Sequence, residues 1–433
     1  MAPLGDIDIS QAYSLTVGCI VIFLLTFRLS HTVFHYLYPR LKHLVHRLSL
    51  PRPRSRLSGV LPKDWSRIAL LAIYLGGTVA SNVIYVSTLA EASSRAAKLC
   101  LANVVPLMVC SHEVGAHLFG VSLDLFHSVH RLLGTMAFLQ GLAHGVYEVA
   151  SAPVHVHDGT VVYGISASII FASLMLSSVF KARVYEFFSQ SHRACALGLV
   201  FATWRHTYNK SALSTWCIAG AAAAYALTFL IQILRIAVRN LAFARRAECL
   251  INHQGNNLEV IVFPARPWTV RAGERVNLSI PSAGLMSVFQ MHPFVITWWD
   301  NNELGKLESF TLLVKPRSGF TNKLKMLPST RHRAWIDGPY GPDRALGTPI
   351  SDYGHIFMVA TGIGVGAQIP YIKQLLEGYR RGVVRTQKIV LIWQMDLEAD
   401  YDDVQDWLQE LVSQDSGYVS GPRNGVAYLL NNV

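Results

Sequence analysis

Apolar residues come in long runs before about residue 240 and in short runs after it. A helix that crosses a bilayer needs about 20 mostly apolar residues. Seven stretches meet that ruler, centred near Leu25, Ile73, Val105, Met136, Ile170, Leu199 and Ala224. From about Leu250 the texture changes to short β-rich runs, Leu258 to Phe263, Val295 to Trp299 and Phe310 to Val314, separated by Gly, Pro and Asn turns. This pattern predicts a small antiparallel β-barrel. Ile356 to Ala360 reads as a buried strand, followed by a glycine turn, a helical pattern from Ile369 to Tyr379 and a second apolar strand from Lys388 to Trp393. That order predicts a βαβ unit.

The expected organisation is an N-terminal span and basic loop over residues 1–65, a helical membrane domain over 66–242, a barrel over 250–345 and an α/β nucleotide-binding part over 352–433. Composition agrees with a membrane part: of 433 residues, 51% are hydrophobic and 15% charged. The net charge of +11 raises the question of nucleic acid. The basic residues sit in loops beside apolar runs, however, and not on an aromatic-interleaved face, which argues against that partner. The positive-inside rule explains them instead. Between Arg40 and Arg67, eight Lys and Arg residues face the single acid Asp64, so this loop is expected in the cytosol and the N-terminus outside. Lys181 and Arg183, and then Arg235, Arg239, Arg245 and Arg246, fall on the same side when spans are counted alternately. The segment from Ala150 to Thr160 has no Lys or Arg and suits the outer face, and everything after about Ala242 is expected in the cytosol. The first apolar run follows Asp6 and Asp8 and lacks a basic start, so it reads as a retained helix rather than a cleaved leader. The six cysteines form no C-x-x-C pair and read as small buried hydrophobes.

Histidine spacing carries the chemistry. His130 and His144 on the fourth span are fourteen residues apart, just under four helical turns, so they share a face and are separated by about 21 Å along the axis. His192 and His206 repeat this spacing on the sixth span, which runs in the same direction. His130 then matches His192 in depth near the inner surface, and His144 matches His206 near the outer one. Two neutral imidazoles from facing helices can ligate one haem iron axially. Two such levels make an electron path across the bilayer. His112 and His117 lack a matching partner, and His127 lies off the paired face, so packing or a haem-edge contact is expected for them. Arg131, Arg193 and Arg205 suit haem propionates and snorkelling toward headgroups equally well. His155, His157 and Asp158 read as an ordinary solvated loop rather than a metal site.

In the second half, His292-Pro293-Phe294 opens a β-run reaching Thr297 and could set an aromatic ring and a backbone edge against an isoalloxazine. Lys315 to Asn322 leaves a strand for a short helix, where Gly319 permits close backbone approach to a pyrophosphate. Asp337-Gly338-Pro339-Tyr340-Gly341 reads as a rigid turn. The run Gly362-Ile-Gly364-Val-Gly366 lies between strand and helix, the context in which a glycine fingerprint is credible.

Taken in order, these residues resemble the ferric reductase branch of the ferric reductase and NADPH oxidase superfamily, as found in fungi, from about Ala96 to Trp407. The resemblance implies a helical transmembrane di-haem bundle followed by a cytosolic ferredoxin-reductase-like part, an antiparallel β-barrel FAD domain with an α/β nucleotide domain. It implies His130, His144, His192 and His206 as ligands of two haems b, and His292, Pro293 and Phe294 as the flavin motif, with Thr297 at the end of that β-run a further cofactor-binding candidate. Lys315, Gly319 and Thr321 match the hold on the FAD pyrophosphate, Gly338 and Pro339 the family's G-P-Y-G turn, and Gly362, Gly364 and Gly366 the NADPH loop. The implied activity is hydride transfer from NADPH to FAD, then single electrons through both haems to an external ferric chelate at the plasma membrane. An iron-uptake permease or oxidase is an implied partner. A superoxide-generating oxidase of the same architecture, and a haem-binding protein without turnover, are the alternatives. Val295 departs from the family's Thr or Ser. The family's Cys-Gly-Pro segment and terminal strands are not met before Val433. The expectation is therefore a strand from Lys388 to Trp393 with a bare edge and weak NADPH-driven reduction.

Overall fold

The computed structural model describes residues 9–29, 65–341, 350–414, 419–420 and 428–431, apart from loop positions 152, 154–156, 182, 184, 209, 243–244, 255–256, 285–286, 288–289, 318 and 398. The basic loop from Arg40 lies outside the described residues up to position 64, as does His155. The chain divides into two compact units, Met1–Ile231 and Gln232–Val433.

The first unit is helical: α1 Ile9–Leu29, α2 Trp65–Val83, α3 Leu89–Leu107, α4 His112–Phe119, α5 Leu123–Ser151, α6 Gly159–Phe180, α7 Tyr185–Thr207 and the start of α8 Ala212–Asn240. Thr88 caps α3 by accepting from Glu91 N at 3.2 Å, and Asp158 caps α6 by accepting from Thr160 N at 2.8 Å. Asp158 is thereby committed to a helix start. The span expected around Val105 is instead a bent pair, α3 and α4, meeting at 92°. Pro106 cannot continue the helical ladder, Ser111 starts a new helix by accepting from Val114 N at 3.4 Å, and Gly120 at φ +66° ends it.

By length and composition α6 and α8 are apolar enough to cross a membrane, and the α3–α4 pair makes a third if counted as one crossing. The apolar parts of α1 and α2, Ile9–Ile22 and Ile68–Val83, are shorter. The histidine-bearing α5 and α7 have 29 and 23 residues, long enough to span. Their polar side chains keep them below the same hydropathy. Ile73, Val79, Leu176, Val179 and Trp216 point outward, as lipid-facing residues do. Inside, Tyr13 and Tyr74 both donate to Asn103 Oδ1, at 2.9 and 3.2 Å, and Asn103 Nδ2 donates to Gln140 Oε1 at 3.0 Å, so one polar network joins α1, α2, α3 and α5.

The second unit holds two antiparallel sheets around one core. The five-stranded sheet runs β5 (Trp298–Asn301), β6 (Leu307–Val314), β2 (Asn257–Phe263), β1 (Glu248–Gln254), β7 (Arg331–Arg333). The three-stranded sheet runs β4 (His292–Val295), β3 (Arg275–Ser279), β8 (Trp335–Tyr340). Alternation along β2 and β3 sends Val260, Val262, Val276 and Leu278 inward, where they meet Phe310, Leu312 and Phe320. Cys249 lies in this core, where burial pushes its thiol up to about 12.

Asp337 to Gly341 does not form the expected turn. Asp337 to Tyr340 ends strand β8, and its pairing with β3 slips between Arg275 and Asn277. Gly338, at φ +143°, bulges the chain there without reversing it. The fully buried Asp337 carboxylate accepts from Gln232, Asn277 and the Tyr340 hydroxyl.

Beyond the barrel, β9 (His355–Thr361) leads through the glycine turn into α10 (Ile369–Arg380), and β10 (Lys388–Gln394) returns parallel to β9 in unbroken register from His355 against Lys388 to Thr361 against Gln394, so the βαβ unit is present as read. Two details differ. β9 is not buried on both faces: Ile356, Met358 and Ala360 face α10, whereas Phe357 and Val359 are 70% and 66% exposed. The β10 edge is not bare either, because β12 (Tyr428–Asn431) pairs antiparallel with Lys388 to Leu391 and carries β11 (Val419–Ser420) on its far side. The described chain thus supplies its own cover for that edge. Two short helices, α11 (Ala399–Asp402) and α12 (Gln405–Ser413), complete this lobe.

Candidate functional site

In the helical unit α5 and α7 face each other and run in the same direction, since their histidines meet at both levels. The rings of His130 and His192 have centroids 6.2 Å apart, and those of His144 and His206 are 6.4 Å apart. A metal held at about 2 Å from one nitrogen of each ring, with each ring centre roughly 1 Å further on, separates two such centroids by about 6 Å. Both gaps therefore have the width of one coordinated iron, and both exceed a direct hydrogen bond.

Nitrogen bookkeeping agrees. His206 Nδ1 lies 2.8 Å from the Thr160 carbonyl, and His144 Nδ1 lies 2.9 Å from Ser93 Oγ. A metal-ligating histidine normally gives its second ring N–H to such a partner, which fixes the tautomer and leaves Nε2 for the metal. Gly164 permits this arrangement at His206, since a methyl group there would meet the imidazole at 2.8 Å. At the His130–His192 level, His192 Nδ1 is buried without a hydrogen-bond partner among the described residues. These features fit a haem iron at each level.

Three further residues of the helical unit behave as packing groups. His112, carried by α4, places its ring 4.6 Å from that of His130 and 5.0 Å from that of His127. α4 can approach this closely because Gly115 leaves room for the Phe126 ring. Arg205 lies over the Tyr163 ring at 5.3 Å and the Trp204 ring at 5.8 Å, and Arg131 reaches Ser128 at 3.4 Å.

The second unit gathers the other motifs. β4 is the edge strand of its sheet, with Pro293 and Val295 outward and His292 and Phe294 half-buried. His292 stacks on Phe320 at 4.0 Å with the planes 6° apart, and Phe294 lies 6.4 Å from the same ring. The aromatic of the motif thus leans on the barrel core, while the strand leaves a backbone edge open. Thr297 is buried, its N–H donates to Thr311 O at 2.9 Å, and a methyl group on Gly366 would come within 3.2 Å of its Oγ1. The residue just beyond β4 and the glycine loop therefore touch.

Lys315 forms an ion pair at 3.5 Å with Asp396, whose carboxylate lies against Gly362 at φ +47°. Gly319 adopts φ +78° before α9 (Phe320–Leu324), and Thr321 Oγ1 accepts from Arg317 N at 2.8 Å. Gly364 faces open space. Around the bulge, Arg239 Nε donates to Gly338 O at 3.1 Å, and Arg235 donates to Pro339 O at 3.4 Å while lying over the Tyr340 ring at 4.8 Å.

Sequence reasoning missed the groups that join the two lobes of this unit. Lys373 on α10 is buried over Trp298, which itself stacks on Trp407 at 6.1 Å. Burial pushes the Lys373 ammonium below the ordinary lysine range, and the carboxylates of Glu410, Asp300 and Glu377 work against that shift. Asp403 accepts from Asn257, with burial as the main cause holding its carboxyl above the usual range. Gln374 accepts from Ala272 N at 2.8 Å.

With this geometry in place the chain can be compared with known proteins. No family model matches it. Ferric/cupric reductase transmembrane component 2 of Saccharomyces cerevisiae is 25% identical over 272 residues, 60% of this chain and 36% of that protein. Ferric reductase transmembrane component 1 of Schizosaccharomyces pombe is 24% identical over 342 residues, 66% of this chain and 54% of that one. The chain resembles the fungal ferric reductase transmembrane components. It spans between about a third and just over half of the length of these two relatives. Among solved structures, the flavohemoglobin of Malassezia yamatoensis covers 76% of this chain and 82% of its own at 13% identity and a TM-score of 0.35, a value at which the overlay carries no argument.

Proposed function

We propose that this chain carries electrons from cytosolic NADPH through FAD and two b-type haems across the plasma membrane to an external ferric chelate. The observation that carries the reading is the pairing of four histidines at two depths, each pair separated by the width of one iron. The relatives named as ferric reductase components support the choice of acceptor.

FAD supplies the exchange between a two-electron donor and one-electron acceptors, and haem supplies a one-electron couple. The residues do the placing. His130 and His192 hold the inner iron, and His144 and His206 the outer one. His292, Pro293 and Phe294 on β4, with Thr297 just beyond it, would take the isoalloxazine, and Phe320 braces His292 and Phe294. Lys315, Gly319 and Thr321 take the FAD pyrophosphate, and Gly338 and Pro339 shape the wall beside it. Gly362, Gly364 and Gly366 would take the nicotinamide nucleotide, with Gly366 packed against Thr297. The basic residues Lys181, Arg183, Arg235 and Arg239 support a cytosolic flavin unit and an external N-terminus through the positive-inside rule.

The test is an anaerobic optical spectrum of the purified chain, taken with dithionite and then with NADPH. The proposal expects a reduced b-type haem spectrum with both reductants. A protein purified without haem would overturn it, and reduction by dithionite alone would remove NADPH as donor.

A further inference from the structure

The two histidine levels differ in what stands behind them. On α5, Glu148 lies one turn beyond His144, with its Oε1 at 3.6 Å from His144 Nδ1. From α3, Ser93 places Oγ 2.9 Å from the same Nδ1 and 3.5 Å from Glu148 Oε1. Ser93 is buried, whereas the Glu148 side chain is 58% exposed. When His144 uses Nε2 for a metal, its Nδ1 carries the hydrogen. It then donates to Ser93 Oγ, and the hydroxyl has only its own hydrogen left to give, toward the carboxylate. The contacts form a one-way relay from imidazole to hydroxyl to carboxylate. His206 has no such backing: its Nδ1 meets the neutral Thr160 carbonyl. Among the described residues His192 Nδ1 has no hydrogen-bond partner.

We propose that Ser93 and Glu148 are positioning residues that draw on the Nδ1 hydrogen of His144, make it a more electron-donating ligand, and so lower the reduction potential of the outer iron alone. The inference rests on the haem reading above. A partner behind a metal-bound histidine raises its basicity, and hydrogen-bond chains in a low-dielectric setting strengthen one another. A more basic ligand favours the ferric over the ferrous state in the one-electron couple. The consequence is a stronger reductant at the face where the acceptor arrives, obtained from side chains that touch neither iron nor acceptor.

The experiment is potentiometry of the purified full chain, followed by haem absorbance, on wild type, Glu148→Gln, Ser93→Ala and Ser93→Thr. The outer transition is the one lost in His206→Ala. Glu148→Gln and Ser93→Ala are expected to move that transition to higher potential with the inner transition unchanged and two haems per chain retained. Ser93→Thr keeps the hydroxyl and restores the wild-type value. Unchanged midpoints with both haems bound would overturn the relay. Equal movement of both midpoints would also overturn it, as a diffuse charge effect. A wild-type chain without haem would defeat the underlying reading instead, so the two failures are distinguishable.

Discussion

The ammonium of Lys373 lies 3.4 Å from the centroid of the Trp298 ring and donates to the Trp299 carbonyl at 2.7 Å, tying α10 of the nucleotide lobe to β5 of the barrel. Lys373→Ala removes a charge-assisted hydrogen bond to the Trp299 carbonyl and a desolvated cation–π contact. A loss of about 1–3 kcal/mol in the stability of this unit is expected. Trp298 and Trp407 report it through tryptophan fluorescence during thermal unfolding of the full chain. Burial lowers the folded-state pKa of Lys373 below its unfolded value. The unfolded chain then binds that proton more tightly, so wild-type stability gains as pH rises from the depressed value toward the ordinary one of about 10.4. The alanine variant lacks this gain. Parallel pH profiles for the two proteins would contradict the assignment.

The three glycines of the nucleotide loop are not equivalent. Gly362 has a positive φ and a carboxylate against it, Gly366 abuts Thr297, and Gly364 has nothing within 4 Å. Gly364→Ala is expected to leave folding and flavin content intact. Gly362→Ala costs about 1–3 kcal/mol from backbone strain alone, and Gly366→Val forces the loop away from the flavin strand. Thermal unfolding and flavin content separate the cases, and equal tolerance of all three would refute this ranking.

Asp337 anchors the Gly338 bulge by accepting from three side chains. In Asp337→Ala the buried Tyr340 hydroxyl and the half-buried Gln232 and Asn277 amides lose this acceptor, a loss of roughly 1–3 kcal/mol in all. The variant should lose flavin before it loses haem. Simultaneous retention of flavin and a wild-type melting curve would show that the carboxylate is dispensable.

Much of this was legible in the chain because it is periodic. Fourteen residues bring a side chain back to the same helical face, so His130 with His192 and His144 with His206 could be paired before any coordinates. The order of strand, glycine turn and helix likewise predicted a helix from Ile369 to Tyr379, found at Ile369–Arg380, and the βαβ unit formed by β9 and β10. What periodicity does not encode is which distant residue arrives. Ser93 reaches His144 from 51 positions away, Lys373 reaches Trp299 from 74, and β12 reaches β10 across a lobe. A run of hydrophobic residues also cannot reveal a change of direction within it, which is why the break between Leu107 and His112 read as one span.

The central claim is that each histidine pair serves one iron. Haem content per chain, measured by pyridine haemochrome on wild type, His144→Ala and His206→Ala, tests it most directly. The account predicts two haems in the wild type and one in either variant, with the inner site still occupied. Two haems retained in both variants would contradict it.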